Sequence, residues 1–349
     1  MCKKVNRREF LATSTAFLSV AAEAELLQGK VVASAAQSVE ADQVASGVYF
    51  HEGSLTDNAP AVCNNGWIIF DDYVLVVDAN YPAGARMMIS KIRALTDKPI
   101  RFAFDTHHHG DHAYGNQIYV DAGAVPVAHT GVIDEMRRKE PRNWNEDLKY
   151  RTDLKDTKLK APTVLFPQEL YFDDGTHRVE LIHLGVAHTH GDAVAWLPKE
   201  KILFTGDVCV NGPYNFVGDG DTGKWIATLE AAKKLGATTI CTGHGPRSVA
   251  SVLDDQQAFF KVLQDQVHSQ LVNASLQEAK ARIEEIRKTM KANAQVARYV
   301  SAGGKDDGFP GQVQKVYEEL TGNKLTALAD LGHLARRSHA HSHGAAHTV

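Results

Sequence analysis

Short apolar runs rich in β-branched residues alternate with amphipathic stretches over the first 250 positions of the chain. Residues 66–70 and 73–78, separated by two aspartates, predict a β-hairpin, and the segment Pro82–Leu95 has apolar residues at helical spacing. The remaining predicted elements are strands at Ile100–Asp105, 125–128, 179–184, 193–197, 202–204 and 239–241 and helices at 131–139 and 225–235. Many strands with helices between them predict an α/β fold in which helices cover the sheets.

The pattern changes after residue 248. Residues 252–300 contain no Gly or Pro and are rich in Gln, Glu, Lys and Ala, which predicts a helical extension, followed by a short helix at 311–320. The tail beyond it is rich in His and Ala, a composition typical of disorder. The predicted organisation is an export signal at 1–35, an α/β domain at 45–250, a helical extension at 251–330 and a disordered tail at 331–349.

Composition and charge exclude several classes of protein. The 349 residues carry 38 Lys and Arg against 42 Asp and Glu, a net charge of −4, so we expect no nucleic-acid partner. No uncharged apolar run approaches the roughly 20 residues of a membrane-spanning helix, and we expect no stable membrane insertion once the signal is removed. The four cysteines are widely spaced and form no CxxC pair, which argues against a disulfide framework or a thiolate zinc site.

The first residues have the features of an export signal. A basic start is followed by a modestly apolar stretch at 11–22, and Arg7-Arg8 precede Glu9-Phe10-Leu11, which resembles the twin-arginine pattern. Residues 33–35 supply a small-x-small cleavage site, with residues 22–24 as a competitor. We expect a periplasmic protein whose partner is the twin-arginine export machinery. The alternative is the basic start of a helix in a cytoplasmic protein.

The most distinctive chemistry follows the strand Ile100–Asp105. The next residues read Thr-His-His-His-Gly-Asp-His, and because side chains alternate along an extended chain, His107 and His109 can point to one side. Gly110 permits a tight turn that brings in Asp111 and His112. Imidazole and carboxylate ligands in this mixture suit Zn²⁺ or another divalent first-row metal. A solvated histidine-rich loop is the alternative.

Three further motifs follow predicted strands in the same way. They place His188, Asp207 and His244 beside or close to glycine where a strand ends. A carboxylate near ligating histidines commonly fixes their orientation, so Asp78 and Asp192 are either supporting residues of this kind or loop caps.

This ordered set of histidines and aspartates resembles the metallo-β-lactamase superfamily, from the strand that ends at Asp78 to the Gly243-His244-Gly245 motif. The resemblance implies a four-layer αββα sandwich with two divalent ions, expected to be Zn²⁺, at the edge shared by its sheets. His188 rather than His190 is the implied ligand, because the family's ligand stands directly before Thr-x-Gly. The implied ligands are His107, His109 and His188 for one metal and Asp111, His112 and His244 for the other, with Asp207 bridging.

Two such cations lower the pKa of a shared water, so that a bridging hydroxide can attack a carbonyl or phosphorus at neutral pH. Asp111 is the predicted catalytic residue, since it can orient this hydroxide or shuttle its proton. Tyr214 and Asn215, just after Asp207, and Trp144, in the polar insert 139–160, are candidate walls of the substrate cleft, and ordinary loop packing is the alternative for all three.

The superfamily acts on β-lactams, lactones, thioesters, phosphodiesters and sulfate esters. Asp207 stands where similar dizinc β-lactamases carry Cys or Ser and matches glyoxalase II and lactonases, while Val210 replaces the Tyr of quorum-quenching lactonases. We predict an exported dinuclear hydrolase that opens an acyl bond of a small-molecule β-lactam, lactone, ester or thioester. The open alternatives are a phosphodiesterase, an iron-dependent sulfur dioxygenase and a periplasmic metal-binding protein without turnover.

Overall fold

The structure, a computed structural model, describes residues 42–323 apart from 57–58, 273, 275 and 304–306. The predicted export signal at 1–35 and the predicted tail at 331–349 lie outside the described residues. Within them, two sheets pack face to face and helices cover the outer face of each sheet. The αββα arrangement implied by the resemblance is therefore confirmed.

In its described part, the first sheet has seven strands that lie side by side in chain order. The pairings among β1 to β4 are antiparallel, and those among β4 to β7 are parallel. The strands are β1 (Gln43–Ala45), β2 (Val48–His51), β3 (Asn65–Ile69), β4 (Val74–Val77), β5 (Ile100–Asp105), β6 (Val125–His129) and β7 (Val164–Phe166).

The second sheet has the strand order β13-β12-β11-β10-β9-β8. Only β11 and β12 run parallel among its described pairings, so these two strands end at the same edge. The strands are β8 (Glu169–Asp173), β9 (Arg178–Ile182), β10 (Val194–Leu197), β11 (Ile202–Gly206), β12 (Thr239–Thr242) and β13 (Ser248–Val249).

The described helices follow the strands of the α/β domain and then form the helical extension. They are α1 (Pro82–Leu95), α2 (Gly110–Ala113), α3 (Asn116–Asp121), α4 (Thr130–Arg138), α5 (Glu140–Asp147), α6 (Thr222–Lys234), α7 (Ser251–Leu271), α8 (Leu276–Ala292) and α9 (Phe309–Thr321), with 3₁₀ turns at Thr152–Leu154 and Ala297–Tyr299. The segment 139–160, expected as a polar insert, thus contains a helix. None of the described helices combines the length and apolarity needed to cross a bilayer.

Strands β4 and β11 consist entirely of buried residues because both of their faces are covered. All four residues of β4 and all five of β11 are buried, as expected for strands with a partner sheet on one side and helices on the other. Phe104 and Phe204 meet in the core between the sheets. On the outer face of the first sheet, α1 begins at Pro82 and packs Met88 and Ile92, one helical turn apart, against β4.

The helical extension packs against the second sheet and shares one apolar cluster with it. Trp225 of α6 contacts Phe260 of α7, and Phe309 and Val313 of α9 lie in the same apolar cluster. Side chains of β10, β11 and β12 complete this cluster. The extension therefore forms the outer layer on the second sheet.

Candidate metal centre

The predicted metal-binding residues follow strands of both sheets and lie at one shared edge. The loop 106–109 leaves β5 in the first sheet, and Asp207 and His244 follow the parallel strands β11 and β12 in the second. His188 lies in the loop between β9 and β10. Because strand ends of two packed sheets share this edge, residues far apart in the sequence come together there.

Two glycines permit this close approach. Gly206 has a φ of +49°, and a Cβ at this position would lie 2.3 Å from the hydroxyl oxygen of Thr106. A Cβ at Gly243 would lie 2.1 Å from Oδ1 of Asp207. Only glycine leaves space for the side chains of Thr106 and Asp207 at these positions.

The seven predicted ligands converge and are all less than a tenth exposed. Their donor atoms fall into overlapping sets, each compact enough to hold one cation. The sets are His107 with His109 and His188, His107 with His112 and Asp207, and Asp111 with His112 and His244. His190, two positions after His188, is exposed.

For His188 and His109, hydrogen bonds on the far side of the ring determine which nitrogen faces the cluster. His188 Nδ1 donates to the carbonyl oxygen of Phe216 (2.8 Å), and His109 Nε2 donates to Asp219 (3.0 Å). The lone pairs of His188 Nε2 and His109 Nδ1 then face each other at 2.8 Å, and His107 Nε2 lies 3.1 Å from the same His109 atom. Converging lone pairs repel one another unless a cation lies between them, so this set fits a metal ion.

Asp207 supplies a second sign of fit. Both of its carboxylate oxygens are buried and have no hydrogen-bond partner among the described residues, a costly state for a charged group without a cation. Its oxygens lie 3.4 Å from His112 Nε2 and His188 Nε2 and 3.6 Å from His244 Nε2. Burial raises the pKa of Asp207, but the surrounding imidazoles have the larger effect and bring this pKa below its ordinary value. The carboxylate is therefore ionised and lies between the two ends of the cluster.

Asp78 connects three residues of the site. Its Oδ2 accepts a hydrogen bond from His112 Nδ1 (2.9 Å), and its Oδ1 accepts from the backbone and hydroxyl of Thr106 (2.9 and 2.8 Å). The Thr106 hydroxyl also lies 3.1 Å from Nδ1 of His107. Asp78 therefore orients the predicted ligand His112, whereas Asp192 accepts hydrogen bonds from Thr189 and fixes the His188 loop.

Asp219 and its partner Lys139 belong to the site although the sequence pattern did not point to them. Lys139 Nζ lies 2.6 Å from Asp219, on the carboxylate that holds His109. Burial raises the pKa of Asp219, but the nearby imidazole of His108 and the hydrogen bonds from His109 and Lys139 outweigh burial and hold that pKa well below the ordinary range. The signal that could have found Asp219 is its position between Gly218 and Gly220, the glycine context of the other motifs.

His108, the middle histidine of the loop, is not one of the seven predicted ligands, but its donor atom forms a further compact set with those of His109 and Asp219. It is fully buried, and its Nε2 lies 3.6 Å from Asp219 and 3.7 Å from Glu140. It therefore belongs to the acidic surroundings of His109.

The three predicted substrate contacts lie in different environments. Tyr214 is half-buried, with its ring 5.8 Å from that of His244, so it lies at the site. Asn215 is buried and hydrogen-bonded to the helical extension, and Trp144 is buried against Tyr114 in a separate apolar cluster. Contact with substrate stays a prediction for all three, and of the three only Tyr214 lies with a partly exposed ring against a ligand.

Comparisons with known proteins agree with this geometry. The family model of the metallo-beta-lactamase superfamily matches residues 59–244, more than half of the chain. The structure is similar to a metallo-beta-lactamase from Pontibacter korlensis, with a TM-score of 0.52 and 18% identity over 63% of this chain and 97% of that one. The chain belongs to the metallo-β-lactamase superfamily: it has the superfamily's hydrolase-like fold and a His/Asp metal-binding cluster.

Two curated relatives match the chain over only about half of its length. The chain is 25% identical over 178 residues to the 2,4-dinitroanisole O-demethylase subunit alpha of Nocardioides sp. (strain JS1661), covering 50% of each chain. It is 26% identical over 162 residues to the Beta-lactamase-like protein 2 homolog of Caenorhabditis elegans, covering 45% of this chain and 46% of that one. The chain thus spans about half the length of the curated relatives it matches.

Proposed function

We propose that this protein is an exported, periplasmic hydrolase that opens an acyl bond of a small molecule with the help of two divalent ions, expected to be zinc. The observation that carries the proposal is the convergence of seven buried ligands whose donor atoms face one another. His107, His109 and His188 would hold one ion and Asp111, His112 and His244 the other, with Asp207 between them.

When bound, such a pair of ions lowers the pKa of water and stabilises negative charge that develops on oxygen. The residues of the chain position this chemistry. Asp111 Oδ2 lies 3.2 Å from His244 Nε2, so its buried carboxylate stands at the centre, where it can accept a proton and return it to a leaving group. Tyr214 lies on the His244 side, where it would contact the substrate.

The charges near the site favour an acyl substrate over a phosphodiester. Phosphodiester hydrolysis calls for cations that face the substrate. The cation next to His109 is Lys139, whose amine pairs with both Asp219 and Glu135 at 2.6 and 2.8 Å. Its charge is therefore already balanced by two carboxylates.

The test is elemental analysis of the purified protein combined with a panel of hydrolysis assays. The panel contains a chromogenic β-lactam, a homoserine lactone, a thioester and a bis-nitrophenyl phosphate. It also contains 2,4-dinitroanisole, because one relative is named for demethylating that aryl ether. We expect two metal equivalents per chain and turnover of at least one of the three acyl substrates.

Turnover of the phosphodiester alone would replace the acyl assignment. Metal bound without turnover of any substrate would favour the periplasmic metal-binding protein.

A further inference from the structure

The segment 208–220, between Asp207 and helix α6, contacts three metal ligands and is called the 208–220 loop below. The carbonyl oxygen of Phe216 accepts from His188, the carboxylate of Asp219 accepts from His109, and the ring of Tyr214 faces His244. The loop therefore sets the orientation of two ligating rings and lies against a third.

The loop contains no helix or strand, and its centre is fixed by side chains of the helical extension. Asn215 is 3% exposed. Its side-chain oxygen accepts from Gln256 Nε2 at 3.0 Å, and its main-chain oxygen accepts from Gln312 Nε2 at 2.6 Å. Gln256 also accepts a hydrogen bond from the backbone of Val210 at 2.7 Å, so it fixes the start of the loop as well.

Gln256 and Gln312 lie on α7 and α9, outside the residues that match the family model. Both are buried, and their helices share the apolar cluster around Trp225. A buried amide bonded to a backbone carbonyl allows little movement, since breaking the bond leaves polar groups without partners. The loop is thus attached to buried side chains of the extension at its start and at its centre.

We infer that the helical extension sets the metal affinity of the site, with Gln256 and Gln312 as positioning residues that act through the 208–220 loop. The inference rests on the proposed metal binding. Without these bonds the loop would have to be ordered when the metal binds, and the entropy of ordering would lower the affinity. Groups that orient a ligand typically change metal affinity tenfold or more when they are removed, and a residue one step further away should change it less.

The experiment compares Gln256→Met and Gln312→Met with Gln257→Met in the full chain. Methionine keeps the length of the side chain and removes its hydrogen bonds. Gln257 is the matched control, because it is the buried neighbour of Gln256 on α7 and donates to the carbonyl of Ile226 on α6 instead of to the loop. Zinc affinity is measured by chelator competition, the visible spectrum of the Co²⁺-loaded protein reports ligand geometry, and urea unfolding reports stability.

We expect roughly three- to tenfold weaker zinc binding and an altered Co²⁺ spectrum in Gln256→Met and Gln312→Met, and a change under about twofold in Gln257→Met. If one variant does not fold, the other tests the same loop from a different helix. Parent-like affinity and spectra in the folded Gln256 and Gln312 variants would overturn the inference alone, as would an equal loss in Gln257→Met. A parent protein that binds no zinc would overturn the proposed function as well.

Discussion

Each imidazole of the proposed ligand set has a defined partner on its other nitrogen or lies against a buried carboxylate. His112 bonds to Asp78 and His109 to Asp219, so two carboxylates outside the ligand set fix two rings. Such bonds select the tautomer and raise the basicity of the ligand. At the scale of single residues, we therefore expect metal affinity to depend on the groups that hold the proposed ligands as well as on the ligands themselves.

Asp207→Ala tests the position of Asp207 between the two metal sets. We expect the variant to lose one metal equivalent and to lower kcat/KM by on the order of a thousandfold, about 4 kcal/mol, because the remaining ligands cannot hold a pair. Elemental analysis and steady-state kinetics provide the measurements. Cys209→Ala, two positions further on and also buried, is the control and should keep both metals. Two equivalents and full activity in Asp207→Ala would contradict a bridged pair.

Asp219→Asn tests the orientation of His109. The amide can accept only through one oxygen and carries no charge, so we expect metal affinity to fall roughly ten- to hundredfold. Asp221, two residues along, begins α6 by accepting from the backbone of Lys224 and serves as the control. Asp221→Ala should cost about 1 kcal/mol of stability and leave affinity unchanged. Equal affinities in both variants would argue against a role for Asp219.

At the scale of elements, a histidine pair outside the proposed ligand set joins the two sheets. His129 ends β6 in the first sheet and His183 follows β9 in the second, and their rings stack in parallel with centroids 4.0 Å apart. Burial, and then the neighbouring ring of His183, lower the pKa of His129 to about 4. The stack therefore holds His129 neutral.

This lowered pKa predicts a loss of stability in acid. Between the unfolded value near 6.5 and about 4 the unfolded chain binds the proton that folded His129 does not bind. The free energy of unfolding should fall as pH decreases through this window, by on the order of 1–3 kcal/mol. Urea unfolding from pH 7 to 4 measures it, and His129→Gln should show a shallower slope than the parent. His268→Gln, at an exposed position on α7, should keep the parental slope.

The sequence predicted the elements that carry strong local patterns. Helix α1 has its predicted bounds, and the strand Ile100–Asp105 is confirmed, because apolar periodicity and a proline start are local signals. Strands β1 and β7, of three residues each, are too short for a pattern, and they form because neighbouring strands offer pairing partners. Their existence depends on the assembled sheet.

The same distinction applies to the site. The seven proposed ligands each stand in a short motif at a strand end, so they were recognisable before the fold was known. Asp219 bonds to His109, which lies 110 positions earlier in the chain. Trp144 is buried against Tyr114, although the polar composition of the segment around Trp144 did not indicate burial. Contacts between distant segments decide such roles, and a single sequence contains no direct record of them.

At the scale of the whole molecule, export remains a prediction from the sequence. Replacing Arg7 and Arg8 together with lysines keeps the charge and removes the pair that the twin-arginine pathway is expected to read. We expect the variant to be retained in the cytoplasm, as measured by immunoblotting of cell fractions. Replacing Lys3 and Lys4 together with arginines is the charge-matched control and should leave export intact. Periplasmic recovery of the first variant would point to another route.

Deletion of the histidine-rich tail distinguishes an enzyme from a metal-storage protein. Deleting residues 331–349 removes five histidines, and we expect the shortened protein to keep two metal equivalents and parental turnover because all seven proposed ligands lie before residue 245. Elemental analysis after dialysis and the kinetic assay measure both. Loss of most of the bound metal would instead identify the tail as the main reservoir.

Gly206 has a consequence for how this protein can evolve or be redesigned. The strand that presents Asp207 reaches the Thr106 loop only because a methyl group is missing at one point. Residues other than glycine are therefore not tolerated at position 206. A directed-evolution library should return glycine there whatever substrate is selected.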